Sequence, residues 1–427
     1  MASEREARRA VEAVWRIESA RLIAGLARTF RDVGIAEDLA SEALLAALEQ
    51  WPSSGIPDNP GAWLAATARN RGVDRIRRER VAERKSAELG RELELREEDV
   101  QRDLAAELDD PFDDDLLRLI FTTCHPVLST DARVALTLRL LGGLTTPEIA
   151  RAYLTSEATV AQRIARAKRT LRAARVPIEA PDRAELPDRL GSVLEVIYLI
   201  FNEGYSPSSG TEVVRAELVE EALRLGRVLA ELLPEEPEVH GLAALMELQA
   251  SRTRTRVDAA GDPVPLLEQD RARWDWMLVE RGNRALGRAY ATGGSFGPYA
   301  LQAAIAACHG RARIPGDTDW EWIAALYDGL AEIAPSPVVE LNRAIAFGMA
   351  FGPDVALTML GDASLQRALA SYPLLPAARG DMLERAGRRV DAAAEFERAA
   401  ELSGNARQAA FLRRRAAASR SADAISP

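Results

Sequence analysis

Histidine, cysteine and aromatic residues are scarce in this 427-residue chain, which has three histidines, two cysteines and an aromatic content of 5%. The sequence also lacks a Walker phosphate-binding loop and a glycine-rich dinucleotide fingerprint. No uncharged apolar run reaches the ~18 residues of a membrane span, and the N-terminus lacks an apolar signal core. We therefore expect a cytoplasmic protein that is not an enzyme, with no cofactor and no membrane contact.

Each of the two cysteines precedes a histidine, as Cys124-His125 and Cys308-His309. Two such pairs invite a Cys2His2 metal site, but adjacent ligands lack the usual zinc spacing. The cysteines are also too far apart in sequence to form a disulfide framework. We expect two buried thiols in a reducing compartment, and no metal.

Helix-forming residues dominate the composition. Alanine, leucine, arginine and glutamate are abundant, whereas runs of β-branched and aromatic residues are scarce. Hydrophobic residues make up 47% of the chain, which is enough for cores in about two to four domains. The predicted fold class is all-α.

The net charge of −10 hides an uneven distribution. Residues 69–80 contain six arginines against two acids, and residues 156–176 contain six basic residues against one acid. Residues 92–115 carry twelve acids and two arginines, a composition typical of a mobile linker. Two basic helices separated by an acidic stretch are compatible with nucleic-acid binding despite the negative total.

Residues 156–172 have the pattern of a DNA-reading helix. Apolar side chains repeat at helical spacing, at Val160, Ile164, Ala167 and Leu171. The opposite side carries Thr159, Gln162, Arg163, Arg166 and Arg169. On its own, this pattern would also suit a solvated surface helix.

A shorter helix is predicted just before it. Thr146 can cap this helix, Pro147 suits a first helical position, and Glu148 favours the positive helix start. A break at residues 154–155 leads to Ser156, a second N-cap candidate. Two short helices joined by a tight turn predict a helix-turn-helix that lays its second helix in the major groove.

The first 80 residues predict three helices and one long loop. Apolar residues of the first helix recur at Val14, Ile17, Leu22, Ile23 and Leu26. The second helix covers about residues 35–51, turn-forming residues fill positions 52–60, and the third helix starts at Gly61.

Three stretches of this part resemble region 2 of bacterial extracytoplasmic-function sigma factors of the sigma-70 family. They are residues 36–51 (AEDLASEALLAALEQW), 59–70 (NPGAWLAATARN) and 74–78 (DRIRR). The recognition helix of region 4 is resembled by Thr159, Val160, Arg163, Arg166, Ala167 and Leu171. The resemblance covers about residues 10–178, with the two motif sets in the family's order. It departs at Ala158, where the family often has glycine.

The resemblance implies that the loop and the third helix read and melt the −10 promoter element. Melting requires unstacked bases to be captured beside a helix that holds phosphates. The residues implied are Trp51, Asn59, Trp63, Arg69, Asn70, Arg75 and Arg78, with Asn70 as a base contact and the arginines as phosphate contacts. For the two tryptophans, core packing is an equal alternative.

The resemblance also implies contacts with RNA polymerase core enzyme and with the −35 element. An exposed face of the second helix, with Glu37, Asp38, Ser41, Glu42 and Gln50, would dock on the polymerase; the alternative is a solvated acidic face. Bases of the −35 element would be read by Thr159, Gln162, Arg163 and Arg166 of the helix that Ser156 opens. Phosphates would be held by Lys168, Arg169 and Arg172.

The second half of the chain predicts stacked helices. Six residues match the offsets of one tetratricopeptide unit, namely Gly380, Leu383, Gly387, Ala392, Phe396 and Ala399. Tyr327 and Pro335 suit the end of an earlier unit, and a degenerate unit lies between, around residues 342–360. Such stacks form concave surfaces that bind peptides or other domains.

The segment around Asn202, Glu203 and Tyr205 reads as a helix end rather than an active site, because no base, nucleophile or metal ligand converges there. It resembles the start of the extension in the sigma-factor group with a helical C-terminal domain. In that group the fused domain is thought to modulate activity in place of a separate anti-sigma protein.

The predicted domains are region 2 (8–80), an acidic linker (81–112), region 4 (113–178) and a C-terminal, tetratricopeptide-like regulatory domain (183–418). The predicted partners are core RNA polymerase, promoter DNA and a protein or intramolecular partner of the C-terminal domain. The alternatives are a helix-turn-helix regulator that is not a sigma subunit, and an enzyme or scaffold centred on the C-terminal half. From charge alone, the free protein could be closed, with its basic surfaces masked by acidic segments such as residues 92–115.

Overall fold

The computed structural model describes residues 2–84, 112–153, 155–182, 184–207, 210–293 and 296–423. These residues form α-helices, four short 3-10 turns and two isolated β-bridges, which confirms the all-α class. The chain divides into two compact units, Met1–Ile197 and Tyr198–Pro427. In the described residues, no helix combines the length and the apolar character that a membrane span requires.

The first unit begins with three helices, α1 (Ala2–Phe30), α2 (Val33–Ser54) and α3 (Pro60–Arg84), and α1 packs against both others. Gly72 allows α1 and α3 to meet closely, since a Cβ atom there would lie 2.2 Å from the Phe30 ring. Leu22, Ile23 and Leu26 are buried as predicted. The expectation for Ile17 is wrong, because it is 68% exposed. It lies six residues before Ile23, which places the two side chains about 120° apart around the helix.

The predicted loop at residues 52–60 is shorter than expected, because α2 continues through Pro52 to Ser54. The hydroxyls of Ser53 and Ser54, which suggested a turn, instead donate to the carbonyl of Gln50 at 3.0 and 2.9 Å. Gly55 then ends the helix at a φ of 84°, a conformation that favours glycine. Only residues 55–59 connect α2 to α3.

The described residues from 112 onward add four helices to the same unit, α4 (Phe112–Thr123), α5 (Thr130–Leu140), α6 (Thr146–Ala152) and α7 (Glu157–Ala173). Helices α5 and α6 pack on α7, while α1 packs against α4. The two halves of this unit therefore touch directly. The predicted linker lies mostly outside the described residues, which resume at residue 112.

Helix α8 (Leu186–Tyr205) contains the boundary between the units. The second unit continues with α9 (Ala216–Leu232), α10 (Pro237–Ala250), α11 (Trp276–Ala291), α12 (Pro298–Arg311), α13 (Trp320–Ile333) and α14 (Pro337–Phe351). It ends with α15 (Pro353–Leu360), α16 (Ala363–Ala368), α17 (Leu374–Arg385), α18 (Arg389–Leu402) and α19 (Ala406–Asp423). Most of these helices pack against their neighbours in sequence, as in a stack.

Helices α17 and α18 form a tight hairpin at the place where the sequence predicts a repeat unit. A Cβ atom on Gly380 would lie 2.6 Å from the ring of Phe396, so the glycine permits this close packing. Gly387 makes the turn with a φ of 76°. Phe396, Ala392 and Ala399 are all fully buried between the helices. The small residues of the repeat pattern thus lie where helices meet.

Candidate nucleic-acid and polymerase interfaces

The predicted −10 surface is built around the start of α3. Asn59 caps this helix, because its Oδ1 accepts a hydrogen bond from the Ala62 N–H at 3.0 Å. Trp63 lies one turn later and is half-buried; its ring meets the Trp51 ring edge-on, with centroids 5.5 Å apart. Trp51 is only 2% exposed, so it packs in the core, the alternative that the sequence left open.

The polar face of α3 continues away from this tryptophan pair. Asn70 and Arg78 are exposed, and Arg69 is half-buried with its Nε donating to the Ala65 carbonyl at 3.3 Å. Arg75 is half-buried and lies 3.8 Å from Asp38 of α2. The structure therefore brings the basic residues predicted for the −10 element together on one helix, next to the half-buried Trp63.

A helix-turn-helix is formed by α6 and α7, as predicted, but its first cap is one residue earlier than expected. The side chain of Glu148 accepts hydrogen bonds from the N–H and hydroxyl of Thr145, both at 2.7 Å. This reciprocal capping box replaces the predicted cap at Thr146, because the N–H of Ile149 bonds to the Thr145 carbonyl. Pro147 lies in the first turn, where its missing N–H has no consequence.

The second helix matches the sequence pattern closely. Ser156 caps α7 by accepting a hydrogen bond from the Thr159 N–H at 3.1 Å, even though Ala158 replaces the family's frequent glycine. The predicted apolar face is the buried face, with Val160, Ile164, Ala167 and Leu171. On the other side, Gln162, Arg166 and Arg169 are exposed. Helical periodicity therefore identified the correct face.

Three other basic residues of α7 are engaged by carboxylates. Arg163 lies 3.0 Å from Asp131 of α5. Lys168 forms an ion pair with Glu37 of α2, and Arg172 donates to Asp32, the N-cap of α2, at 2.5 Å. The last two contacts join the predicted −35 helix to the predicted region 2.

Glu37 is the centre of this connection. The residue as a whole is 7% exposed, whereas the sequence analysis predicted that it faces solvent on the polymerase-binding surface. Region 4 covers it, because Arg139 of α5 donates to Glu37 at 2.6 Å and Lys168 of α7 also binds it. Of the other predicted polymerase contacts, Asp38 and Gln50 are exposed, and Ser41 and Glu42 are half-buried.

We refer to the contacts Asp32–Arg172, Glu37–Arg139 and Glu37–Lys168 as the clasp. Burial by itself would raise the pKa of each carboxyl group. For Glu37, the charges and hydrogen bonds of Lys168 and Arg139 outweigh burial, and the pKa is lowered from 4.5. For Asp32, hydrogen bonds from Arg172 and from the start of α2 likewise lower the pKa from 3.8. Both groups are therefore ionised at neutral pH.

A further ion cluster lies beside the clasp. Asp115 of α4 is buried and lies 3.4 Å from Arg28 of α1 and 3.2 Å from Arg118. Sequence reasoning missed Asp32, Arg139 and Asp115 as contact residues. The pairs join positions up to 140 residues apart, and local periodicity carries no signal for such contacts.

The other residues that the sequence analysis singled out are buried or pair with neighbouring side chains. Glu203 pairs with Arg215, and the guanidinium of Arg256 lies 3.9 Å from the ring centroid of the buried Tyr205, in keeping with a packed helix end. Cys124 and Cys308 are buried free thiols, as expected. Across the described ranges, no group of three or more His, Cys, Asp or Glu side chains is placed to hold a metal ion.

Comparisons with known proteins match three stretches of the chain to protein families. Residues 17–81 match sigma-70 region 2, residues 118–171 match sigma-70 region 4, and residues 189–290 match a family of unknown function, DUF6596. An ECF RNA polymerase sigma factor, SigK, of Mycobacterium bovis is 30% identical over 149 residues, which is 34% of this chain and 74% of SigK. SigK of Mycobacterium tuberculosis matches equally.

An uncharacterized protein of Rhizobium meliloti is similar over nearly the whole chain. It is 43% identical over 389 residues, which cover 91% of this chain and 90% of the relative. The matches to regions 2 and 4 coincide with the two halves of the first unit. The chain belongs to the sigma-70 family of RNA polymerase sigma factors, the subunits that act in transcription initiation.

Proposed function

We propose that this chain binds core RNA polymerase in the cytoplasm and directs it to promoters with two spaced elements, without enzyme activity of its own. Region 2, residues 8–80, would bind the core and open the −10 element, and region 4, residues 113–178, would read the −35 element. The observation that carries the proposal is the pairing of a capped helix-turn-helix with a three-helix region 2 inside one compact unit.

At the −10 element, Asn70 would contact a base, while Arg69, Arg75 and Arg78 would hold phosphates. Trp63 is half-buried beside the loop and offers an aromatic face for an unstacked base, and Asn59 fixes the start of its helix. The burial of Trp51 gives it a supporting role beneath Trp63.

At the −35 element, bases would be read from the exposed side of α7 and phosphates held near its C-terminal end. Gln162 and Arg166 are exposed and able to reach base edges, with Thr159 and Arg163 beside them. Arg169 is exposed, whereas Lys168 and Arg172 would have to leave the clasp before they could hold phosphates. Core polymerase would bind through Asp38, Ser41 and Glu42, joined by Glu37 once the clasp opens.

The clasp leads us to propose that the free factor is closed. Glu37, Lys168 and Arg172 are proposed contacts of polymerase or DNA, and all three are occupied by one another or by Asp32. The sequence-based prediction attributed the masking of basic surfaces to acids such as those of residues 92–115, of which 92–111 lie outside the described part. In the described part, the acids that cover Lys168 and Arg172 are Glu37 and Asp32. Binding to the core would open the clasp.

The direct test is transcription in vitro with core polymerase, the full chain and a fragmented genomic library, with sequencing of the transcript starts. Discrete starts that share two spaced upstream elements are expected. Arg69→Ala and Arg78→Ala should reduce these starts, and exchange of the exposed Arg254 for alanine is the matched control. Binding to DNA without binding to core polymerase would instead indicate a regulator that is not a sigma subunit.

We further propose that the second unit is a tetratricopeptide-like stack that modulates this activity through a protein or intramolecular partner. The α17–α18 hairpin supports this, with Gly380 at the close approach and Phe396 buried against it. The test compares the full chain with residues 1–197. The cut follows Ile197 because Arg189 and Ser192 donate to backbone carbonyls of α4 and its following residue, at 2.9 and 2.7 Å. Equal rate and promoter selectivity from both forms would refute modulation.

A further inference from the structure

A cationic cavity lies within the first unit, where the end of α1 and the start of α2 face the C-terminal half of α7. Its volume is about 1060 Å³. Six basic residues line it, namely Arg28, Arg31, Arg118, Lys168, Arg172 and Arg175. Among the residues that the structure describes, two acidic residues line it, Asp32 and Glu179. The lining therefore favours an anion.

Four of the six cations already pair with the carboxylates described above. The other two, Arg31 and Arg175, form no ion pair with any residue in the described ranges. Arg31 comes from the region 2 side of the cavity, and Arg175 from the region 4 side. Each side therefore supplies one cation that is not neutralised by the part of the protein we describe.

The backbone of these two arginines is unusual. Arg31 has a φ of 52° and Arg175 a φ of 48°, and in the described residues they are the only non-glycine positions with a positive φ. Each closely follows a helix end, a position where glycine is favoured because it has no Cβ. Each of these two strained positions thus carries a large cationic side chain, and both residues line the same cavity. Strain of this kind concentrates at ligand sites.

The size and lining of the cavity limit what could enter. Ligand cavities for small molecules measure about 300 to 1,000 Å³, so this one fits a nucleotide-sized molecule, whereas a DNA duplex is far too wide. Arginine forks match the oxygens of a phosphoryl group. Apolar lining residues, among them Phe30, Val33 and Leu171, could cover an uncharged part of the same molecule.

We propose that this cavity binds a multiply charged phosphorylated small molecule and that its occupancy holds regions 2 and 4 together. The ligand would contact Arg31 of region 2 and Arg175 of region 4 at once, which is possible only while the clasp is closed. A ligand that binds one arrangement better shifts the population toward it. The cavity would therefore make the closed form sensitive to the concentration of a soluble phosphorylated compound.

Calorimetric titration of the full chain with inorganic tripolyphosphate and with ATP, at 0.15 M salt, tests the binding step. We expect one molecule bound per chain, and affinity weakened about tenfold or more by the double variant Arg31→Gly/Arg175→Gly. Glycine suits both backbone conformations, so this variant removes two cations without straining the fold. The control Arg21→Ala/Arg284→Ala removes two exposed cations outside the cavity and should bind as the parent does.

Equal weakening in the control would show non-specific attraction and overturn the proposal. A 12-base-pair duplex is titrated in parallel. Loss of duplex binding in the glycine variant, with no binding of tripolyphosphate or ATP by the parent, would assign these arginines to the DNA path and also overturn it.

Energy transfer between dyes on S54C and A165C, introduced into the full chain, tests the closure step. In a chain that also carries Glu37→Gln, which weakens the clasp and so populates the open form, saturating tripolyphosphate or ATP should raise the transfer efficiency. An unchanged efficiency would refute the link to closure. Neither measurement includes polymerase, so its outcome is independent of whether the chain proves active in transcription.

Discussion

Replacing Glu37 with glutamine should open the clasp. The Glu37 side chain is only 10% exposed and neutralises two cations that are themselves largely covered, Arg139 at 27% and Lys168 at 20%. By contrast, Arg172 in the neighbouring pair is 61% exposed, so that pair contributes only about 0.2–1 kcal/mol. Hydrogen bonds between charged groups are worth about 1.5–3 kcal/mol, and the amide retains part of them. We expect Glu37→Gln to disfavour the closed form by about 2 kcal/mol, or roughly 30-fold.

The opening can be measured by the same energy-transfer pair and by anisotropy of a labelled −35 duplex. Transfer should fall, and DNA affinity should rise, because Lys168 becomes free to hold a phosphate. The matched control is Glu42→Gln, which changes the same group on the same helix but affects an ion pair with Arg71 inside region 2. If both variants behave like the parent, or if Glu42→Gln opens the protein equally, the assignment of the clasp to Glu37 is refuted.

Three further predictions concern pH, packing and base reading. The two clasp carboxyl groups have lowered pKa values, so their contribution to closure should be constant above pH 5 and be lost as the pH falls below their ordinary values of 4.5 and 3.8; energy transfer from pH 8 to 3 checks this. Gly72→Ala should destabilise the first unit by about 1–3 kcal/mol in thermal unfolding, because of the Phe30 ring, whereas Gly287→Ala, with open space around it, should not destabilise. Arg166→Ala should weaken the free energy of binding to a −35 duplex by about 1–3 kcal/mol and relax the choice of sequence. Arg169→Ala should weaken binding to all sequences alike, and binding to a panel of −35 duplexes checks both.

The sequence predicted features that depend on local periodicity and missed those that depend on distant contacts. The buried face of α7 followed from spacing alone, because Val160, Ile164 and Leu171 repeat with the helix. The burial of Glu37 did not follow from spacing, since a charged side chain favours solvent. It is buried because region 4 covers it. Composition predicted the all-α class because helix formers dominate the whole chain.

The two ends of α2 and the starts of α3 and α6 were predicted to within one to three residues, and the deviations have identifiable causes. Serine hydroxyls can either make a turn or bond to a carbonyl of the preceding helical turn, and in α2 they do the latter. The sequence predicted the cap of α6 at Thr146, but the hydrogen bonds between Thr145 and Glu148 place it one residue earlier. The roles of individual residues at DNA and polymerase remain predictions.

The sharing of Glu37 between Arg139 and Lys168 has a consequence for how this protein can diverge. The three positions lie in separate helices, and loss of the Glu37 carboxylate leaves two largely covered cations without a counter-charge, whereas loss of one cation leaves Glu37 paired with the other. Relatives that lose the carboxylate should therefore also lose at least one of the two cations, and those that keep it should keep at least one. A comparison of these three positions across many genomes would show which relatives have kept the closed arrangement.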